Sequence, residues 1–478
     1  MEPDFQRERA VTMSSTDKSD LRPVHFVGIA GAGMRALAEL LARRGVAVTG
    51  CDANPGATAD LQALGIEVLT GHSPDHVVGA REVIVTSAMS KDHPEIQRAR
   101  ELGIPITRRA EALGQAVAGG RVVGIAGTHG KTTTTVMTTA ALAAAGLKPT
   151  GIAGGRVGEW KGNLHYESDQ LFVVEADEYD RSFLTLLPTV AVVTNMEADH
   201  LDIYRDLEDI RVTFSRFVRG AATIVLCDDD AGARSLDLPS SAEIIRYALQ
   251  TGDKLASRDA RLIGKDLRSN GQSTSFTVSH DAEPLGEVAL RVPGHHNARN
   301  ALAAIGAGLA LGVTLDDMRA GLLKFGGVDR RFQHLCDVGG ISIVDDYAHH
   351  PTEIAATIQA ARASYPGRRV VAAFQPHLFS RTRDFAGAFG EALAAADAVF
   401  LAEIYPAREK PIPGVTSDLI ASSLERAGRP AVWQGSRSEL CDALAGFVTD
   451  RDVVITIGAG DITRTGQELK QRLESRER

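Results

Sequence analysis

Apolar residues along this chain gather in short runs that alternate with longer amphipathic stretches. From His25 onward, "HFVGIAG", "GVAVTGCD" and "EVIVTSAM" read as buried strands, and "MRALAELLARRG" between the first two has helical apolar spacing. Strand–helix–strand alternation of this kind predicts a parallel sheet. A second series opens at "RVVGIAG", continues through "QLFVVEAD" and "TVAVVTN", and is expected to carry a helix after each strand. Between Ala221 and Val292 the pattern shortens to "STSFTV" and "EVALRV", which predicts an antiparallel annex. A third series, "ISIVDDY", "RRVVAAFQPH", "DAVFLAEIY" and "DVVITIGAGD", alternates with Ala-rich helices. Glycines break the pattern at "AVAGGR" (Ala116–Arg121) and "KFGGVDR" (Lys324–Arg330), so three α/β domains are expected.

Length agrees, because 478 residues exceed what one hydrophobic core usually organises. An apolar content of 44% and a charged content of 24% place the chain among soluble globular proteins. A net charge of -9 argues against a general nucleic-acid binder, which would carry a basic footprint. The four cysteines (Cys51, Cys227, Cys336, Cys441) form no CxxC pair, the usage of a reducing compartment. No run approaches the ~18 apolar residues of a membrane span. The opening "MEPDFQRERAVTMSSTDKSDLRP" lacks the apolar core of a signal peptide and is expected to be a mobile tail over residues 1–22. The expectation is a cytoplasmic protein with small-molecule partners and neither a nucleic-acid nor a membrane partner.

The chemistry concentrates in two glycine turns. In "GIAGTHGKTTTT", Gly127, Thr128, Gly130, Lys131, Thr132 and Thr133 lie between a predicted strand and a predicted helix. Glycines let backbone N–H groups face phosphate oxygens, lysine reaches the terminal phosphates, and a hydroxyl faces magnesium. The strict phosphate-loop pattern fails by one place, since its first glycine would fall at Ile125. The rest of the threonine run is expected to offer hydroxyls to phosphate and to the free N–H groups of the helix. Magnesium needs further oxygen ligands, and "LFVVEADEYD" ends an apolar strand with Glu175 and Asp177. "TNMEADHLD" adds Glu197, Asp199 and His200 at the next strand end. The other turn, "GIAGAGMRAL", places Gly31, Gly33 and Ala36 in a G-x-G-x-x-A pattern with Asp52 closing the next strand. That reads as a dinucleotide site with Asp52 on a ribose, or as a site for another diphosphate at a helix N-terminus. Two phosphate loops in one chain favour two phosphorylated substrates over one redox cofactor.

Taken in order, "HFVGIAGAGM", "AGTHGKTTTT", "EADEYDRSF", "EADHLDIY", "GHHNARNALAA", "GVDRRF", "DDYAHHPTEI", "FQPHLFSRTRDF" and "YPAREKPIPGV" resemble the Mur ligase family from about His25 to Asp461. "DDYAHHPTE" with "FQPH" resembles its alanine-adding branch or the related peptide-recycling ligases. The resemblance implies an N-terminal Rossmann-like domain for a UDP sugar (23–118). It implies a central P-loop ATPase-like domain (119–325), its sheet mostly parallel with a small antiparallel annex. It also implies a C-terminal Rossmann-like domain for an amino acid (326–478). The implied activity is ATP-dependent amide formation between L-alanine and the carboxylate of UDP-N-acetylmuramate, with Mg2+, in a monomer or weak homodimer. A peptide-recycling ligase and an NAD-dependent dehydrogenase are the alternatives.

The same resemblance assigns roles. Lys131, Glu175, His200 and Arg331 would be catalytic, with Thr132, Glu175 and His200 toward the metal. Asn297, Asn300, Arg331 and Asp346 would join the loop residues on ATP. Gly31, Gly33, Asp52 and Ser87 would hold the UDP sugar. Tyr347, His349, His377 and Arg381 would meet the amino acid. Three departures stand out. Arg35 occupies a usual glycine position and is expected to be exposed. Leu378 replaces an arginine, for which Arg383 is a candidate substitute. No lysine lies between Lys161 and Lys254 to supply the carbamylated lysine of several siblings, which agrees with the alanine-adding branch.

Overall fold

The structure is a computed structural model that describes residues 20–475 apart from 55–57, 87–88, 253–258, 270 and 408. Ser87 and most of the expected tail lie outside the described residues. Asp20 is tied to the body, because the Arg81 guanidinium donates to its carbonyl at 3.0 Å.

Three sheets follow one another along the chain. The first is parallel throughout, in the order Glu67–Thr70, Val48–Asp52, Val24–Val27, Glu82–Val85, Ile106–Arg108. Its central strand is buried at every position, as a strand covered by helices on both faces should be. The third runs Gln333–Val338, Ile341–Asp346, Asp452–Ile457, Arg369–Phe374, Ala398–Ala402, Trp433–Gly435, and only its first strand is antiparallel.

The central sheet has ten strands. Arg121–Ala126, which leads into the phosphate loop, pairs in parallel with Val190–Val193 on one side and Leu171–Glu175 on the other. The annex is not a separate layer. Leu262–Ser269 pairs in parallel with Glu243–Leu249, and the antiparallel strands Thr274–His280 and Glu283–Leu290 extend the same sheet outward. A second antiparallel pair, Thr150–Val157 with Gly162–His165, closes the opposite edge. No α-helix follows Leu171–Glu175 directly. A 3-10 stretch over Tyr179–Thr185 stands there, with Asp180 and Arg181 in left-handed conformation at φ 54° and 55°.

The sheets are joined in two different ways. The N-terminal and central domains share one apolar cluster, in which Phe26, Leu37 and Leu40 pack in the same body as Leu164, Phe172 and Phe214. The apolar clusters of the C-terminal sheet draw only on residues from Phe332 onward. Hydrogen bonds and ion pairs link it to the central domain, and they gather at the site.

Candidate functional site at the junction of the domains

The phosphate loop begins where Arg121–Ala126 ends and the helix Lys131–Ala144 starts. Gly127 (φ 144°) and Gly130 (φ 80°) hold backbone conformations that side chains rarely adopt. A Cβ on Gly130 would stand 2.6 Å from Asn300 Oδ1, and one on Gly127 would collide with Thr194 Oγ1. Lys131 Nζ donates to the Gly127 carbonyl at 2.6 Å and lies 2.7 Å from a Glu178 oxygen. Thr132 Oγ1 donates to Glu175 at 3.0 Å, and the other Glu175 oxygen accepts from Gly154 N at 2.6 Å. Burial raises the Glu175 carboxyl above its ordinary range. Thr133 faces the neighbouring cavity, whereas Thr134 and Thr135 are fully buried and their hydroxyls have no bonding partner among the described residues. The second half of the threonine run is therefore core and not phosphate contact.

Opposite charges then alternate away from the loop. Glu178 lies between Lys131 and His200, whose Nε2 stands 3.6 Å from Glu178 and 3.7 Å from Asp199. Those two carboxylates raise the His200 pKa against the opposing effect of burial. Asp199 bonds Arg381 of the C-terminal domain at 2.8 Å, with both side chains under a tenth exposed. Arg381 is thus a buried link between domains and not a surface residue of its helix, Phe379–Leu393. Leu378 caps that helix with φ 71° and is buried. Arg383 pairs with its neighbour Asp384 and is more than half exposed, so it does not stand in for the missing arginine.

Beside the loop is a cavity of about 340 Å³, within the range of small-ligand sites. Gly130, Thr133, Asn297, Asn300, Arg331 and Asp346 line it, which brings together six of the residues assigned to ATP. Asp346 accepts backbone N–H bonds from Phe332 at 2.8 Å and Ala348 at 2.7 Å, and burial raises its carboxyl to about 6. The cavity also exposes two groups that no sequence pattern singled out, His129 and Glu353. His129 Nδ1 lies 3.3 Å from Glu353, and its Nε2 lies 3.6 Å from Glu197. Despite burial, the two carboxylates lift its pKa to about 9. Glu353 also faces Arg331 at 3.4 Å and His349 at 3.5 Å, and these neighbours together with His129 hold its carboxyl well below the ordinary range. Thr352 Oγ1 donates to Glu197 at 2.6 Å, a further bond across the domain boundary.

The C-terminal set is an aromatic cluster. Tyr347 and His349 rings are 5.3 Å apart, His349 and His377 are 6.2 Å apart, and His377 stacks on Tyr405 at 5.8 Å. Arg331 lies over the Tyr347 ring at 5.2 Å. Burial pushes His349 down to about 3, and its Nδ1 donates to the Tyr347 carbonyl at 3.1 Å, which leaves Nε2 as an acceptor.

In the N-terminal domain, Gly31 caps the helix Ala32–Arg43, and a Cβ on Gly33 would stand 3.0 Å from the Arg109 guanidinium. Arg109 also lines a small cleft with Glu175 and Asp177, linking the first loop to the second. The two Asp52 oxygens accept from Ala30 N at 3.0 Å and Asn54 N at 2.9 Å. Asp52 therefore braces the loop, with lone pairs remaining on both oxygens. Arg35 is not exposed as expected: its guanidinium is ion-paired with Asp60 and only 14% accessible.

Three family models cover nearly all of this architecture in order: the Mur ligase family catalytic domain over residues 23–121, the Mur ligase middle domain over 125–308, and the Mur ligase glutamate ligase domain over 330–460. A UDP-N-acetylmuramate–L-alanine ligase of Geotalea uraniireducens is 41% identical over 95% of this chain and 98% of its own length. The chain belongs to the Mur ligase family. A second UDP-N-acetylmuramate–L-alanine ligase, from Salinibacter ruber, is 42% identical to this Mur ligase over 95% of the chain and 96% of its own. Among solved structures, the UDP-N-acetylmuramate–alanine ligase of Thermotoga maritima superposes with a TM-score of 0.79 at 29% identity, covering 95% of this chain and 99% of that one. A murein peptide ligase from Psychrobacter arcticus shares the fold, with a TM-score of 0.70 at 24% identity over 95% of this chain and 98% of its own.

Proposed function

We propose that this Mur ligase joins L-alanine to the carboxylate of UDP-N-acetylmuramate, driven by ATP, as a cytoplasmic step in peptidoglycan precursor synthesis. The observation that carries the proposal is the meeting, at one domain junction, of the central phosphate loop with the Tyr/His/Arg cluster of the C-terminal sheet. Whole-length similarity to L-alanine ligases supports it.

A carboxylate is a poor electrophile because its charge repels the amine and oxide does not leave. Transfer of the γ-phosphoryl group of ATP onto it gives an acyl phosphate and ADP. The alanine amine then attacks the acyl carbon, and the tetrahedral intermediate collapses to the amide and inorganic phosphate. Lys131 counters charge on the moving phosphoryl group from its place at the helix N-terminus. The buried Glu175 oxygens, the adjoining Thr132 hydroxyl and the Glu178–His200 pair form a donor set that fits Mg2+, with Thr132, Glu175 and His200 on the metal side. When bound, Mg2+ supplies further charge neutralisation for the phosphates. Asn297, Asn300, Arg331 and Asp346 hold ATP in the cavity, and Gly31, Gly33 and Arg109 hold the UDP diphosphate. His200, beside the loop, and His349, whose Nε2 is left as an acceptor, are the two groups placed to take the proton of the incoming amine. Correct placement of three substrates can supply ~7–11 kcal/mol of the barrier.

Phosphate release is the direct test. Release that requires UDP-N-acetylmuramate and L-alanine together supports the reading. Release with a peptide in place of L-alanine would instead mark a recycling ligase. Calorimetric binding of NAD in preference to the UDP sugar would revive the dehydrogenase alternative.

A further inference from the structure

The N-terminal domain holds a second cluster of titratable groups that the ligase chemistry does not use. Glu95, in the first turn of the helix Pro94–Glu101, is fully buried, as is Cys51 in the strand Val48–Asp52. Cys51 Sγ lies 3.3 Å from Glu95 Oε2 and 3.4 Å from His72 Nδ1, and His72 Nδ1 lies 3.2 Å from the same oxygen. His93 Nδ1 is 3.7 Å from that oxygen and, though buried, makes no hydrogen bond among the described residues.

A tetrahedral zinc site with bonds of about 2.0–2.3 Å sets its ligand atoms roughly 3.3–3.7 Å apart. Three of the four distances above fall along such edges, and the fourth, His72 Nδ1 to Glu95 Oε2 at 3.2 Å, is just short of them. We propose that Cys51, His72, His93 and Glu95 form a structural Zn2+ site. Thiolate, imidazole and carboxylate together suit a borderline metal and not Mg2+ or Ca2+. One thiolate and one carboxylate balance the charge of the ion. Binding releases the thiol proton to solvent and replaces the Cys51–Glu95 hydrogen bond with two bonds to metal. The remaining carboxylate oxygen, Glu95 Oε1, already accepts from Ser73 N at 3.2 Å and faces His76 Nδ1 at 2.9 Å, the outer bonding that fixes a ligand's orientation. The site would also fix the diphosphate loop, since the Cys51 carbonyl accepts the N–H groups of Gly28 at 2.8 Å and Ile29 at 3.0 Å.

Cobalt provides the test. The full chain, stripped with a chelator and titrated with Co2+, is expected to bind the ion with visible bands of tetrahedral cobalt and a thiolate-to-cobalt charge-transfer band that Zn2+ abolishes. Cys51→Ser should remove the charge-transfer band. His93→Gln, whose side chain is partly accessible, should weaken cobalt binding about 10-fold or more while the circular dichroism stays unchanged. The His129, Glu197 and His350 group could also attract a metal, but it holds no sulfur and cannot give that band. Absence of the band from the folded wild-type chain, or its survival in Cys51→Ser, overturns the proposal.

Discussion

Replacing Arg381 with alanine tests how the C-terminal domain is held. The substitution removes the guanidinium that bonds Asp199 at 2.8 Å across 182 residues of sequence, and it leaves a carboxylate that is only 7% accessible. Stranding one partner of a buried pair costs about 3–5 kcal/mol, well above the ~0–1 kcal/mol of a surface bridge. Asp199→Ala combined with Arg381→Ala removes both charges, so the double-mutant cycle should return a coupling of about 2–3 kcal/mol. Urea denaturation followed through Trp433, on the edge strand of the C-terminal sheet, provides the readout. The pH dependence has a definite sign. Arg381 depresses the folded-state pKa of Asp199, so the stabilisation is complete above the ordinary value of 3.8 and disappears as pH falls through the folded value. The wild-type advantage over the variant should therefore be constant near neutrality and shrink in acid. Initial-rate kinetics should show the Michaelis constant for L-alanine rising more than those for ATP or the sugar, because the pair adjoins the His349 cluster. A coupling below about 0.5 kcal/mol would falsify the structural role, and equal changes in all three Michaelis constants would detach Arg381 from the amino acid.

Lys131→Ala should lower kcat by at least about 10²–10³-fold while the calorimetric affinity for the UDP sugar stays the same; loss of both would mean the two phosphate loops do not serve separate ligands. His129 has a folded pKa raised to about 9, so its ion pairs stabilise the domain junction fully below about 6.5 and lose that contribution as pH rises through 9. Amide protection factors at the junction, corrected for the intrinsic pH dependence of exchange, should fall across that window in the wild type and stay flat in Glu353→Gln. Gly130→Ala forces a side chain into a φ of 80° against Asn300, and should weaken nucleotide binding at least about 10-fold in a filter or calorimetric assay without lowering sugar affinity.

The sequence made the buried strands and both glycine turns legible because each has a strong local signal. Val24–Val27 and Arg121–Ala126 are apolar runs ended by glycine turns. Several strands it missed have weaker patterns, although Thr223–Cys227, buried throughout, was missed as well. Glu67–Thr70 is exposed at both ends, Ile106–Arg108 is three residues long, and Thr150–Val157 carries three glycines. The annex was visible as a change of texture, but its continuity with the central sheet depends on register between distant strands. His129 was hidden inside a motif read for its glycines and lysine. Glu353 occupies a helix-capping position, with His350 at the N-cap, and that local role masks its contacts with His129, Arg331 and His349. Nothing near Arg381 in the chain points to Asp199.

The unlike joints on either side of the central domain carry a mechanical consequence. Hydrocarbon seals the N-terminal domain to the central one, with the Arg44–Asp169 ion pair at its edge. The C-terminal domain is fastened by Asp199–Arg381, His129–Glu353 and Thr352–Glu197, and wherever water reaches such links, ions of the medium compete for them. Because Asp199–Arg381 and His129–Glu353 are almost shut off from water, salt screens them little, and it is a change of charge on one partner that would loosen the amino-acid domain while the sugar and nucleotide domains travel together as a single body.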